Sequence, residues 1–132
     1  MTATTTWDFT TPVLGRIGKD RSREEVVAHL TQAAKELRRR DPIMIAHSGN
    51  GHIGGDFSIA DVLVTLVLHE LNLDPANPLM PERDRLILSK GHTAGALYIA
   101  MALAGYFDPA ELMTFMDPHS RLSSHPNRNY IP

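Results

Sequence analysis

Arg83-Asp84-Arg85-Leu86-Ile87-Leu88-Ser89-Lys90-Gly91-His92 is the stretch whose reading decides the fold. Its centre, Leu86-Ile87-Leu88, is short, wholly apolar and bounded by polar residues, which reads as a buried strand. A helix rich in Ala and Leu is expected from about Thr93 to Ala104, stopped by Gly105 at the left-handed cap position. An all-apolar strand between helices is the mark of a parallel sheet covered on both faces. Such a strand must pair its N–H and C=O groups with neighbours. The chain offers one other short apolar run, Ile43-Met44-Ile45-Ala46. The expected class is therefore α/β, helix-rich, with a sheet that is incomplete in this chain. The remaining strands are expected from another polypeptide, or from a larger protein of which this is the front end.

Outward from that stretch the signals are mostly helical. Ser22 and Glu25 form a capping box, followed by Val26, Leu30, Ala33 and Leu37 at helical spacing. The spacing predicts a first helix that closes with Arg38, Arg39 and Arg40 as a solvated end and stops at Pro42. A Gly-rich turn covers residues 47–55, and a second helix is expected from Ser58, with Asp61 completing its cap. Its wide apolar face, plus Val64 and Leu68 off that face, predicts burial almost all round. A fourth helix is expected from Asp108, with Pro109 first and Glu111 closing the box; residues 118–132 read as loop. Residues 1–21 read as an N-terminal tail, with Trp7 and Phe9 as side chains able to dock, and residues 22–132 as one partial domain.

Composition narrows the function. The 132 residues carry 13 Lys+Arg against 15 Asp+Glu, a formal net charge of −2, with 42% hydrophobic and 21% charged residues. That is ordinary globular composition, without the basic excess of a general nucleic-acid binder. No cysteine is present, which excludes disulfides and thiolate zinc sites. No run reaches the roughly 18–20 apolar residues of a membrane span, and no secretory signal opens the chain. The expected location is cytoplasmic.

Three histidines sit in Gly- or Pro-marked turns: His52 before Ile53-Gly54-Gly55, His92 after Lys90-Gly91, and His125 in Ser124-His125-Pro126. Imidazole titrates near neutrality and bonds anionic oxygen, and a neighbouring glycine lets a ligand approach the backbone. His92 lies between an apolar run and a helix start, where open α/β sheets bind ligands. Gly49-Asn50-Gly51-His52-Ile53-Gly54 also fits G-x-G-x-x-G. Against a dinucleotide site, the next helix is expected only at Ser58, and no second strand ending in an acid follows. His47/His52 and His69-Glu70 lack the spacing of a metal site. His29 reads as a partly exposed helix residue and His119 as loop surface.

Taken in order, Ser48-Gly49-Asn50-Gly51-His52-Ile53-Gly54-Gly55, the stretch from Arg83 to His92, Leu97-Tyr98, Gly105-Tyr106-Phe107 and Ser123-Ser124-His125-Pro126 resemble the N-terminal part of a transketolase. The Gly-Gly after His52 is similar to the split transketolases, whose halves are separate polypeptides. The resemblance implies a domain that binds the diphosphate of thiamine diphosphate and transfers a two-carbon ketol unit from a ketose to an aldehyde acceptor. By position, His52 resembles the histidine that moves protons at the substrate, and His125 the one on the donor's hydroxyls. His92 resembles the histidine on the cofactor diphosphate, and Gly55 a residue beside the cofactor.

The chain departs from the family's pattern in having no Gly-Asp-Gly magnesium motif and no pyrimidine-binding part, and in carrying Ser124 where glycine is usual. It also stops at Pro132, before the family's next glycine-rich cofactor segment. The expectation is one component of a multi-chain enzyme, inactive alone, whose Mg2+ ligands lie on a partner chain. The alternatives are a non-catalytic scaffold or remnant subunit of such an enzyme, and a dinucleotide-binding fragment.

Overall fold

The structure is a computed structural model that describes residues 10–132. Trp7 and Phe9 lie outside the described residues. Three helices dominate: α1 (Arg23–Ser48), α2 (Ile53–Thr65) and α3 (Ala94–Ala104). A π-helical turn, Leu66–Glu70, extends α2; a 3-10 turn, Gly91–Thr93, leads into α3; a further 3-10 helix covers Pro109–Thr114.

α3 is the hub. All eleven of its residues are buried, as expected of a helix apolar on every side. α1, α2 and the 3-10 helix pack around it, with Leu37, Leu63, Val64, Val67 and Leu68 turned inward. Gly105 ends α3 at φ 99°, a conformation that favours glycine. The capping box of α1 forms as read: Glu25 N–H donates to Ser22 Oγ at 3.2 Å, and Ser22 N–H to Glu25 Oε2 at 2.9 Å.

Several boundaries differ from the sequence reading. Pro42 does not end α1, which runs on to Ser48 and closes at Gly49, φ 72°. A proline inside a helix costs about 3 kcal/mol. Burial of Leu37 and Met44 on either side of it offsets that cost. Residues 43–46 are thus helical rather than extended, and Arg40 is only 3% exposed instead of forming a solvated end. α2 starts at Ile53, five residues before the expected Ser58, whose hydroxyl instead donates to Gly55 O at 2.9 Å. It is not buried all round, since Val62 is 54% exposed. At Asp108 the cap is present, its carboxylate accepting from Ala110 N–H, but the helix is of the tighter 3-10 kind. Glu111 there pairs with Arg121 rather than returning to the cap.

No residue among those described belongs to a paired strand. Residues 86–88 form no ladder, and Ile87 is 85% exposed, while Leu86 and Leu88 pack against the core. The helix-rich half of the expectation is present and the parallel sheet is not. The physical reason is the alternative run: residues 43–46 went into α1, leaving Leu86-Ile87-Leu88 without a strand neighbour among the described residues. A groove of about 640 Å³ opens between this run and the Leu97–Met101 side of α3.

Residues 13–17 dock on the core. Leu14 and Gly15 N–H both donate to Leu103 O at 2.9 Å, and Ile17 N–H to Leu68 O at 2.8 Å. Half-buried His29 meets Gly15 O at 2.9 Å through Nε2. Arg16 reaches the end of the π-helical turn, where carbonyls lack intrahelical partners, donating to Val67 O at 3.0 Å and to Leu71 O and Leu73 O. Hydrogen bonds to a charged group contribute about 1.5–3 kcal/mol. Arg16→Ala is expected to cost about that much, read by urea unfolding. Arg16→Lys, which cannot fork across several carbonyls, should recover only part of it.

Candidate functional site

The site is built where the turn before α2 meets the turn before α3. His52 is the residue preceding α2, and no side chain caps that helix end. The first amides of a helix have no intrahelical acceptor, and Gly54 faces open space, so this end is accessible. The 3-10 turn Gly91–Thr93 sets His92 against it: the His52 and His92 rings meet edge to face, centroids 5.1 Å apart. Thr93 closes the turn, its N–H and hydroxyl both donating to Lys90 O, at 2.9 and 2.7 Å. Lys90 Nζ in turn donates to Ser58 Oγ at 2.9 Å, tying the loop to α2.

Gly55 permits this approach. A Cβ there would fall 2.7 Å from Thr93 Cγ2 and 3.4 Å from His92 Nε2. The threonine methyl is short and Thr93 is fully buried, so it cannot swing away. Gly55→Ala is expected to cost about 1–3 kcal/mol in overpacking, set against the ~1 kcal/mol that helix propensity returns. Gly54→Ala, with nothing within 4 Å, should be neutral or stabilising. Urea unfolding of the two variants side by side checks the contrast.

His125 arrives from the loop after the 3-10 helix. Its Cδ2 lies 3.0 Å from where a Gly91 Cβ would stand, so the ring rests over the residue next to His92. The loop is pinned from below: Tyr98, fully buried in α3, donates its hydroxyl to Ser123 O at 2.8 Å, and Ser123 Oγ donates to His125 O at 2.7 Å. His52, His92 and His125, far apart in the chain, are thus brought together with Gly55, and all three rings are exposed.

Sequence reasoning passed over the acids beneath them. Asp41 and Asp56 are 0% and 1% exposed. Burial, reinforced by the neighbouring Asp56, pushes the Asp41 carboxyl up to about 8. Asp56 is also raised by burial, against the pull of Asp41, the Ala96 N–H and the two rings. A signal was available: Asp56 stands directly between Gly54-Gly55 and Phe57, and Asp41 between the arginine triplet and Pro42. The Asp84 of Arg83-Asp84-Arg85 is a loop clamp, accepting from Asn72 N–H at 2.6 Å while its own N–H donates to Asn72 O at 2.9 Å.

Imidazoles and an open helix end form a donor set suited to an anionic, phosphate-bearing ligand. Residues of the kind that hold a divalent metal do not gather here: among the described residues no three His, Asp or Glu stand close enough. A site open to an anionic, phosphate-bearing ligand is what these features define.

The chain belongs to the transketolase thiamine diphosphate-binding domain family, whose model matches residues 30–132. It is 47% identical over 97 residues to 6-deoxy-6-sulfo-D-fructose transketolase subunit SqwG of Clostridium sp., covering 73% of this chain and 35% of that protein. It is 39% identical over 104 residues to an apulose-4-phosphate transketolase subunit of Actinobacillus succinogenes, covering 78% of this chain and 38% of that one. Against transketolase 2 of Aliivibrio fischeri the identity is 37% over 105 residues, 15% of that protein. The match therefore spans just over a third of the subunit-type relatives and about a seventh of the long one. No helix among the described residues is long and apolar enough to cross a membrane.

Proposed function

We propose that this chain contributes part of the cofactor and substrate site of a multi-chain, thiamine diphosphate-dependent transketolase acting in the cytoplasm, and that residues 22–132 are its share of the diphosphate-binding domain. The convergence of His52, His92 and His125 around two glycines carries the reading. Relatives named as transketolase subunits support the division between chains.

The residues present fit the diphosphate end of the cofactor. His92, with the open end of α2, would hold its anionic oxygens, and Gly55 lets the turn that carries His92 close on α2. When bound, the cofactor supplies the carbanion that breaks and remakes the carbon–carbon bond. His52 takes and returns protons at the substrate oxygens, and His125 holds the donor's hydroxyls. Mg2+ belongs to a partner chain that carries Gly-Asp-Gly, together with the pyrimidine-binding part.

The test is reconstitution. This chain, its partner chain, magnesium and thiamine diphosphate are mixed, and two-carbon transfer from a ketose to an aldehyde acceptor is followed. Activity is expected only with both chains present. A partner fully active alone would leave this chain a scaffold and overturn the reading.

A further inference from the structure

Beneath the His52–His92 pair lies the acid pair that the proposed chemistry does not use. Asp41 comes from α1 and Asp56 from the first turn of α2, and both are buried. Gly95 of α3 makes room for them: a Cβ there would lie 2.9 Å from Asp56 Oδ2 and 3.1 Å from Asp41 Oδ1. With both groups ionised, Asp41 Oδ1, Asp41 Oδ2 and Asp56 Oδ1 have no hydrogen-bond donor. Two buried carboxylates side by side cannot both keep their charge. A proton on one supplies the missing donor and bonds it to the other.

We propose that Asp41 and Asp56 act as a single buried acid holding one proton between them, with Asp56 the charged member, set one helical turn from His52 beneath the His52 and His92 rings. The surroundings break the symmetry. Asp56 accepts from Ala96 N–H near the start of α3 and lies in the field of both imidazoles, so charge settles there. Asp41 is the member that keeps the proton, in line with its upward shift to about 8. One helical turn links acid to ring, since Asp56 N–H donates to His52 O at 3.0 Å; Gly55, between them, is packed against His92.

Burial and Asp56 are what act on the Asp41 carboxyl. Arg40 is Asp41's own neighbour on α1, Glu111 of the 3-10 helix pairs with Arg121, and Asp61 and Lys90 pair with Arg38 and Ser58. α3 brings no charged side chain, only Tyr98, bonded to Ser123.

The proposal rests on reading His52 and His92 as site residues, but its test uses no activity. In the 132-residue chain, carboxyl and imidazole carbon resonances are followed by NMR from about pH 5 to pH 9. The Asp41 carboxyl should titrate near 8, and the His52 and His92 rings should show an inflection at the same pH. The inflection should be lost in Asp41→Asn and absent from His119 throughout. Titration of Asp41 below about pH 5, rings without the shared inflection, or an inflection that survives Asp41→Asn would overturn it. Should Asp41→Asn fail to fold, the wild-type carboxyl and ring curves decide alone, because a missing common midpoint is sufficient refutation. Absence of two-carbon transfer in the reconstituted complex, with the NMR coupling intact in the chain, would instead count against the functional reading only.

Discussion

In the reconstituted complex, His52→Ala is expected to turn over about 10²–10⁴ times more slowly than the wild-type chain at saturating cofactor, the usual contribution of a positioned general acid–base. His92→Ala should behave differently. Its ring is assigned to the cofactor's diphosphate, so the loss is of binding. A hydrogen bond to a charged group contributes about 1.5–3 kcal/mol, which corresponds to roughly 10–100-fold weaker thiamine diphosphate affinity. Turnover at high cofactor should then return toward wild type. The rings touch edge to face at 5.1 Å, so removing one leaves a gap beside the other. His52→Gln and His92→Gln, which keep bulk and a donor, control for that. Steady-state kinetics across a cofactor titration separate the two outcomes. Equal transfer by His92→Ala at every cofactor concentration would end the site assignment.

Folding stability is expected to fall as pH rises from about 4 to 8, the reverse of a salt-bridged carboxylate. The sign follows from proton binding. Unfolded, the Asp41 carboxyl titrates near 3.8; folded, burial first and Asp56 second hold it up to about 8. Between those values the native state binds the extra proton, so its stabilising effect is complete below the lower pKa and gone above the upper one. Each unit is about 1.4 kcal/mol, which makes the change on the order of a few kcal/mol, a large share of a small domain's stability. Asp41→Asn replaces the protonated acid with a neutral donor of the same shape. Urea midpoints at about pH 5 and pH 8 should differ clearly for wild type and much less for Asp41→Asn, with the variant the more stable at pH 8. Parallel pH dependence in the two proteins would contradict the buried-acid assignment.

How much was legible depended on distance along the chain. The Ser22–Glu25 box, the Asp108 cap and the Gly105 stop are bonds between residues a few positions apart, and each appears in the structure. His52, His92 and His125 were legible as imidazoles in glycine- or proline-marked turns, Gly55 only through the resemblance, and the family as an ordered set of motifs. Other features were not. Pro42 is a local stop signal, overridden because the helix on both sides of it is buried against α3. Ser58 and Asp61 imitate a cap, but Ser58 bonds Gly55 and Asp61 pairs with Arg38 of α1. Leu86-Ile87-Leu88 has the composition of a strand, yet a strand exists only with a neighbour.

By itself the sequence determined the family and the presence of three central helices, and it named four candidate site positions, because caps and apolar periodicity are local properties and motif order is read along the chain. Tertiary structure alone decided that α1 passes through Pro42, that α2 opens at His52, and that two aspartates share the space under two imidazoles. Those outcomes depend on which surfaces meet, and burial against α3 outweighs the local preferences of a proline or shifts the proton of a carboxyl only once the packing is in place.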